Sequence, residues 1–168
     1  MPVKRPRSFR TILVAMLLAS ASLRAQGVGT TSPATESDAR RVAATLQALF
    51  AASERNDLAA LDSLYAGDSL TIFEGTGVNR GWTDYRDHHL GPELKEMKNL
   101  QYRPSGLEVH IAGSLAWVLF RYSLRADVNG RAVDVVGLGT AILERRGAGW
   151  VVRHMHTSGH ARRAADPA

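Results

Sequence analysis

At 168 residues and 45% apolar composition, the chain is sized for one domain with an ordinary hydrophobic core, and it contains no cysteine. Disulfides and a cysteine-borne lipid anchor are therefore excluded, leaving packing, hydrogen bonds and subunit contacts to supply stability. Of 21 Lys and Arg against 16 Asp and Glu, five basic and no acidic residues fall in the first 25 positions, so the rest balances at 16 against 16 and gives no electrostatic reason to expect nucleic acid or an anionic membrane as partner.

The first 25 residues have the layout of a secretory signal peptide: Lys4, Arg5, Arg7 and Arg10, then an apolar run from Ile12 to Leu18, then small residues that fit cleavage after Ala21 or Ala25. The apolar run is short for a membrane span, so a soluble product that is secreted or periplasmic is expected. Residues 26–35 read as a small, polar linker and 161–168 as a tail, with one domain over 36–160.

Ser37 or Asp38 is placed to cap a helix in which Val42, Leu46, Leu49 and Phe50 recur at helical spacing, and Asn56 or Asp57 to end it and cap a second, "DLAALDSLY". "DSLTIFEGTG" alternates Leu70, Ile72 and Glu74 against Thr71 and Phe73, which predicts a short strand and a turn. "WTDYRDHHLGPEL" predicts a third helix interrupted at Gly91-Pro92, with Trp82, Tyr85 and His89 on one face. From residue 99 the period becomes two, giving four strands separated at Gly113-Ser114, Asn129-Gly130 and Gly147-Ala148-Gly149. Helices followed by an antiparallel meander define an α+β domain, and a sheet that curls around the helices makes a cone whose mouth is a natural pocket.

This order resembles the nuclear transport factor 2-like superfamily, which includes ketosteroid isomerases and SnoaL-like, polyketide-cyclase-like proteins. The segments that carry the likeness are "GWTDYRDHHL", "AWVLFRYSLRADVNGRAV", "GTAILERRGAGW" and above all "VRHMHTSG", similar to the terminal strand of the calcium/calmodulin-dependent protein kinase II association-domain branch. The resemblance implies a cone-shaped fold and, from the kinase branch, assembly and a pocket of arginine and histidine that accepts a carboxylate-bearing ligand. It implies Arg121 as a pocket arginine, while a second arginine of that branch falls at Ala141 here. The isomerase tyrosine falls near Leu49 or Phe50, neither of which has a hydroxyl, so isomerase chemistry is not inherited; Glu74 is the nearest counterpart of the base.

Strand alternation puts His154, His156 and Ser158 on one face and Arg153, Met155 and Thr157 on the other. With the histidine face turned into the cone, these side chains meet Tyr65, Trp82, Tyr85, His89, Glu93 and Arg121 in a polar-ended, aromatic-walled pocket for an anionic or hydroxylated small molecule. That reading requires no cofactor and no metal. Three alternatives stay open: an isomerase, dehydratase or cyclase using Glu74 or His156 as general base; a metal site of the histidine pair with His88, His89 or Glu93; and an oligomerisation scaffold whose cone is filled by its own side chains. The sheet's outer face, with Val118 and Phe120 or their neighbours, predicts a homodimer.

Overall fold

The computed structural model describes residues 33–166, and the signal-peptide expectation lies outside them. Helix α1 (Pro33–Glu54) is followed by α2 (Leu58–Leu64), whose first turn is capped by the Asp57 carboxylate accepting from the Ala60 amide. A hairpin of β1 (Thr71–Glu74) and β2 (Gly77–Arg80) leads into α3 (Trp82–Tyr85), a π-turn over Arg86–Leu90 and α4 (Gly91–Glu96). Four long strands complete the domain: β3 (Met97–Ala112), β4 (Leu115–Val128), β5 (Arg131–Arg146) and β6 (Gly149–Ala161). The sheet runs β2-β1-β6-β5-β4-β3, antiparallel except where β1 lies parallel to β6.

The sheet curls because its inner surface is shaped by ring-over-glycine packing. Phe120 lies across Gly139, where an added Cβ would meet the ring at 2.2 Å, and Tyr122 lies across Gly137 at 2.5 Å. Register shifts within β3, and between Ile142 and Leu143 of β5 against β6, add local bend and twist. Helix α1 fills the concavity with Val42, Leu46, Leu49 and Phe50, all at most 2% exposed, against Val118, Ala141, Leu143 and Val152.

Several boundaries depart from the sequence expectations. Helix α1 begins at Pro33, inside the expected linker, so Asp38 is not a cap; its carboxylate instead receives the Arg145 guanidinium from the far end of β5. The segment after Glu74 is not only a turn, because Gly77–Arg80 returns as β2. Gly91-Pro92 does not interrupt the third helix. The Gly91 amide bonds to the Arg86 carbonyl five residues back, Pro92 follows directly after this π-turn, and an added Cβ on Gly91 would sit 2.5 Å from the Arg86 carbonyl oxygen. The Asn129-Gly130 turn forms as expected, with φ of 51° and 76° at its two residues.

Candidate functional site

Register divides the expected site between the two faces of the sheet. Phe120, Gly139, Thr157 and Glu74 form one row across β4, β5, β6 and β1, and burial of Phe120 and Thr157 marks it as the inner side. The adjoining row, Leu119, Thr140, His156 and Phe73, therefore faces outward. His154, His156, Ser158 and Arg121 share this outer side, which corrects the expectation that they line the cone. Val118 and Phe120 point inward, and the exposed large apolar side chains of β4 are Leu115, Trp117 and Leu119.

Inside, the hairpin and third helix bring together the other expected residues. Tyr65 stacks on Trp82 with ring centroids 4.7 Å apart, and Tyr85 meets Tyr65 edge-on at 6.0 Å and His89 at 5.3 Å. His89 Nε2 lies 3.2 Å from Glu93 Oε1 and 3.7 Å from Glu74 Oε2. Glu93 reaches this position because it is one helical turn beyond His89 and the π-turn keeps the helix continuous.

The histidine is oriented by a chain of hydrogen bonds. Asn79 Nδ2 donates to Asp84 Oδ2 at 2.9 Å, which leaves Asn79 Oδ1 as the acceptor facing His89 Nδ1 at 2.7 Å. That arrangement assigns the Nδ1 proton to His89, the tautomer being fixed by the network. His89 Nε2 then faces two carboxylates. Burial pushes the Glu74 carboxyl above its ordinary range, the nearby Glu93 charge adds to the rise, and His89 opposes it. Glu74 and Glu93 thus both converge on the His89 imidazole, at 3.7 and 3.2 Å.

Four phenols complete the interior. Tyr65, Tyr85, Tyr102 and Tyr122 are all pushed to higher pKa, by burial first and by the Glu74 charge among the further causes in each case. Among the described residues none of their hydroxyls has a hydrogen-bond partner within the protein. The phenols are therefore donors within electrostatic range of one carboxylate and open to a further acceptor. Tyr102, Tyr122 and Asn79 were not anticipated. Tyr102 and Tyr122 read as ordinary strand residues, and Asn79 lies on the strand mistaken for a turn.

On the outer side, His154 Nδ1 and the Thr71 hydroxyl are 2.7 Å apart, Phe73 packs edge-on to His154 at 5.1 Å, and burial followed by the neighbouring His156 holds the His154 imidazole below its ordinary pKa. A groove of about 590 Å³ opens on this side, lined by Ser105, Arg121, Ser123, Leu138, Ser158 and His160 among others. A cavity of about 100 Å³ adjoins it at Thr140 and His156. Neither cavity includes Glu74, His89 or Glu93, although Tyr122 is among the residues that line the larger one. Among the described residues no three His, Asp or Glu side chains are grouped to hold a metal ion. The metal alternative fails on geometry, since His154 and His156 are on the opposite side of the sheet from His89 and Glu93, and His88 is turned to Asp84. Also among the described residues, no helix is long and apolar enough to cross a membrane.

Comparison with solved structures places the fold. A nuclear transport factor 2-like superfamily protein from Salmonella enterica serovar Typhimurium superposes with a TM-score of 0.70 at 17% identity, over 78% of this chain and 96% of that one. A candidate ketosteroid isomerase from Shewanella frigidimarina gives 0.62 at 23% identity, over 68% and 92%. A candidate calcium/calmodulin-dependent protein kinase II association domain from Xanthomonas campestris gives 0.62 at 21%, over 72% and 86%. At these identities the likeness concerns the fold. No curated protein matches. The SnoaL-like domain family matches residues 42–162, from the first core valine of α1 to the end of β6, and the chain belongs to that family.

Proposed function

We propose that the protein binds a small, neutral molecule bearing a carbonyl or hydroxyl group in the mouth of its cone and transfers a proton on it, with Glu74 as general base. The observation that carries this reading is the convergence of a carboxyl group of raised pKa with His89, Glu93 and unpartnered phenols. A base poised nearer neutrality is matched to proton abstraction, and phenol donors can stabilise the negative charge that develops on a carbonyl oxygen. The two carboxylates make the mouth unfavourable for an anion, so the anionic-ligand expectation does not suit the cone. His156, the other expected base, is on the outer side and has no place in this chemistry.

The test is deuterium incorporation from heavy water into a panel of cyclic and aromatic ketones, followed by proton NMR. The expected result is exchange catalysed by the wild type and reduced about 100-fold or more by Glu74→Gln, with ketone binding retained. Equal exchange by the two proteins, or no ketone bound, would sink the reading.

Self-association is supported separately. Phe73, Trp117, Leu119 and Ile142 are each 36% exposed or more and fall on adjoining rows of the outer face, an apolar patch suited to a second copy in a homodimer. Light scattering decides it, and a monomeric mass refutes it. We also propose export, on the strength of the N-terminal segment; intact mass of the full chain expressed in a bacterial host, with fractionation, should show loss of 21 or 25 residues in the exported fraction.

A further inference from the structure

The inner surface of the sheet changes from apolar to polar beside one hydroxyl. Val118, Ala141, Met155 and Ile72 form an inner row across β4, β5, β6 and β1, each at most 6% exposed. In the next inner row, Phe120, Gly139, Thr157 and Glu74, Thr157 is the direct partner of Glu74 in the parallel pairing, and its carbonyl accepts from the Gly75 amide at 3.3 Å. The row beyond is Tyr122, Gly137 and Gly159. There the Tyr122 ring lies over Gly137, and its hydroxyl is 2.4 Å from where a Cβ on Gly159 would stand. Thr157 therefore has the Glu74 strand on one side and, about 7 Å farther along its own strand face, the Tyr122 phenol on the other.

Apart from the aromatic residues, Thr157 and Ser53 are the buried polar side chains among the described residues. Their hydroxyls are used differently. Ser53 Oγ donates to the Leu49 carbonyl at 3.0 Å within α1, whereas among the described residues the Thr157 hydroxyl has no hydrogen-bond partner, even with Glu74 on the neighbouring strand. A buried hydroxyl left unpaired costs stability, and valine would give the strand the same branched shape without that cost. Packing thus does not account for threonine at this position. The oxygen is also not sealed off, so it is open to an acceptor that the protein does not itself supply.

Resting on the reading of Glu74 as the base, we propose that the Thr157 hydroxyl is a ligand-binding donor that holds the oxygen of the bound molecule beside that base. In ketone exchange the C–H bond next to the carbonyl breaks toward Glu74, its electron pair forms the enolate double bond, and the carbonyl oxygen takes the charge facing Thr157. A deuteron from solvent then restores the bond to carbon. The experiment follows exchange of cyclohexanone and 1-indanone in heavy water, with thermal unfolding, for the wild type, Thr157→Val, Thr157→Ser and Glu74→Gln. Thr157→Val should lower kcat/KM about tenfold or more, the loss of one donor to a developing oxyanion, and should melt at least as high as the wild type because no internal hydrogen bond is removed. Thr157→Ser should recover most of the rate. The pH midpoint of kcat/KM should not move, since the hydroxyl acts on the ligand and not on the carboxyl group. The assignment is overturned by wild-type exchange in Thr157→Val, by a clearly lower melting temperature in that variant, by serine failing to rescue, or by a midpoint displaced upward, which would make Thr157 act through Glu74. Failure of the underlying reading is distinct: exchange equal in Glu74→Gln and wild type, or none by the wild type, removes the base and this assignment with it.

Discussion

The Glu74 carboxylate and the His89 imidazole stand 3.7 Å apart at the mouth of the cone, one from the end of β1 and the other from the π-turn. The pair does not behave as a surface salt bridge, because Glu93 crowds the same imidazole from 3.2 Å and burial works against the Glu74 charge. Ionised Glu74 is thus a source of instability that the fold tolerates.

Glu74→Gln should therefore stabilise the domain at neutral pH. The folded-state pKa of Glu74 is raised, so its ionisation costs stability above that pKa, and the cost vanishes below the ordinary carboxylate pKa of the unfolded chain. With 43% of the side chain exposed, solvent screening limits the gain to a few tenths of a kcal/mol, at most about 1. Thermal unfolding of both proteins checks this. The variant should melt higher at pH 7, and the two should converge as pH falls to about 4. A wild type that melts higher at pH 7 would show that the Glu74 charge is well paired.

Asp38 carries the opposite sign. Its carboxylate accepts both terminal nitrogens of Arg145, whose guanidinium lies 4.4 Å from the Trp150 ring centroid, tying α1 to β5 and β6. The Arg145 hydrogen bonds hold the Asp38 pKa below its ordinary value. Stability from this clasp is present above the unfolded-state pKa and lost as pH falls from there through the lowered folded-state value. Asp38→Asn should lower Tm at pH 7, and the difference from wild type should shrink toward pH 3. Arg145→Lys should also lower Tm, since an ammonium cannot reproduce the planar fork and the ring stacking together. An unchanged Tm in both variants would make the clasp a surface ornament.

How far the sequence reaches is clearest on β6. Alternation correctly puts His154, His156 and Ser158 on one face, but period two cannot say which face is inner, and the neighbouring core residues mislead. Val151 and Val152 are both buried because the register shift opposite Ile142 and Leu143 resets the alternation before Arg153. Continuing the valine pattern through that shift gives no parity for His154. The pairing of β1 with β6, which puts Glu74 beside Thr157 on the inner row, decides it, and no local signal encodes a parallel contact across 83 residues. His89 and Glu93 were each expected near the pocket but not as a helical pair, because the helix was expected to break at Gly91-Pro92 between them, and the π-turn that keeps it continuous has no signature in residue spacing. Tyr102 and Tyr122 were not legible, because their approach to Glu74 depends on how tightly β3 to β6 curl.

That curl rests on Gly139 and Gly137. Gly139→Ala would drive its Cβ to 2.2 Å from the Phe120 ring, an overpacking that should cost about 1–3 kcal/mol by chemical denaturation. The specific expectation is compensation: Phe120→Leu should be destabilising alone yet recover part of the loss when combined with Gly139→Ala. Strictly additive losses would mean that backbone propensity, and not ring packing, is what the glycine supplies.

The outer face yields the last expectation. Trp117 is 41% exposed with His110 stacked on it at 4.9 Å, and the same row continues through Ile142 to His154. If this row is the centre of a homodimer interface, Trp117→Glu introduces a charge that must be buried twice by symmetry, and two such charges near an axis repel. The variant should run as a folded monomer by sedimentation, with its far-ultraviolet circular dichroism unchanged, because the side chain makes no contribution to the inner core. Ser123→Glu, farther along β4 on the same side and bordering the Arg121 groove, should leave the dimer intact if the contact is centred on the apolar row. Dissociation by Ser123→Glu but not by Trp117→Glu would move the interface onto the groove, and a dimer resistant to both would place it elsewhere on the molecule.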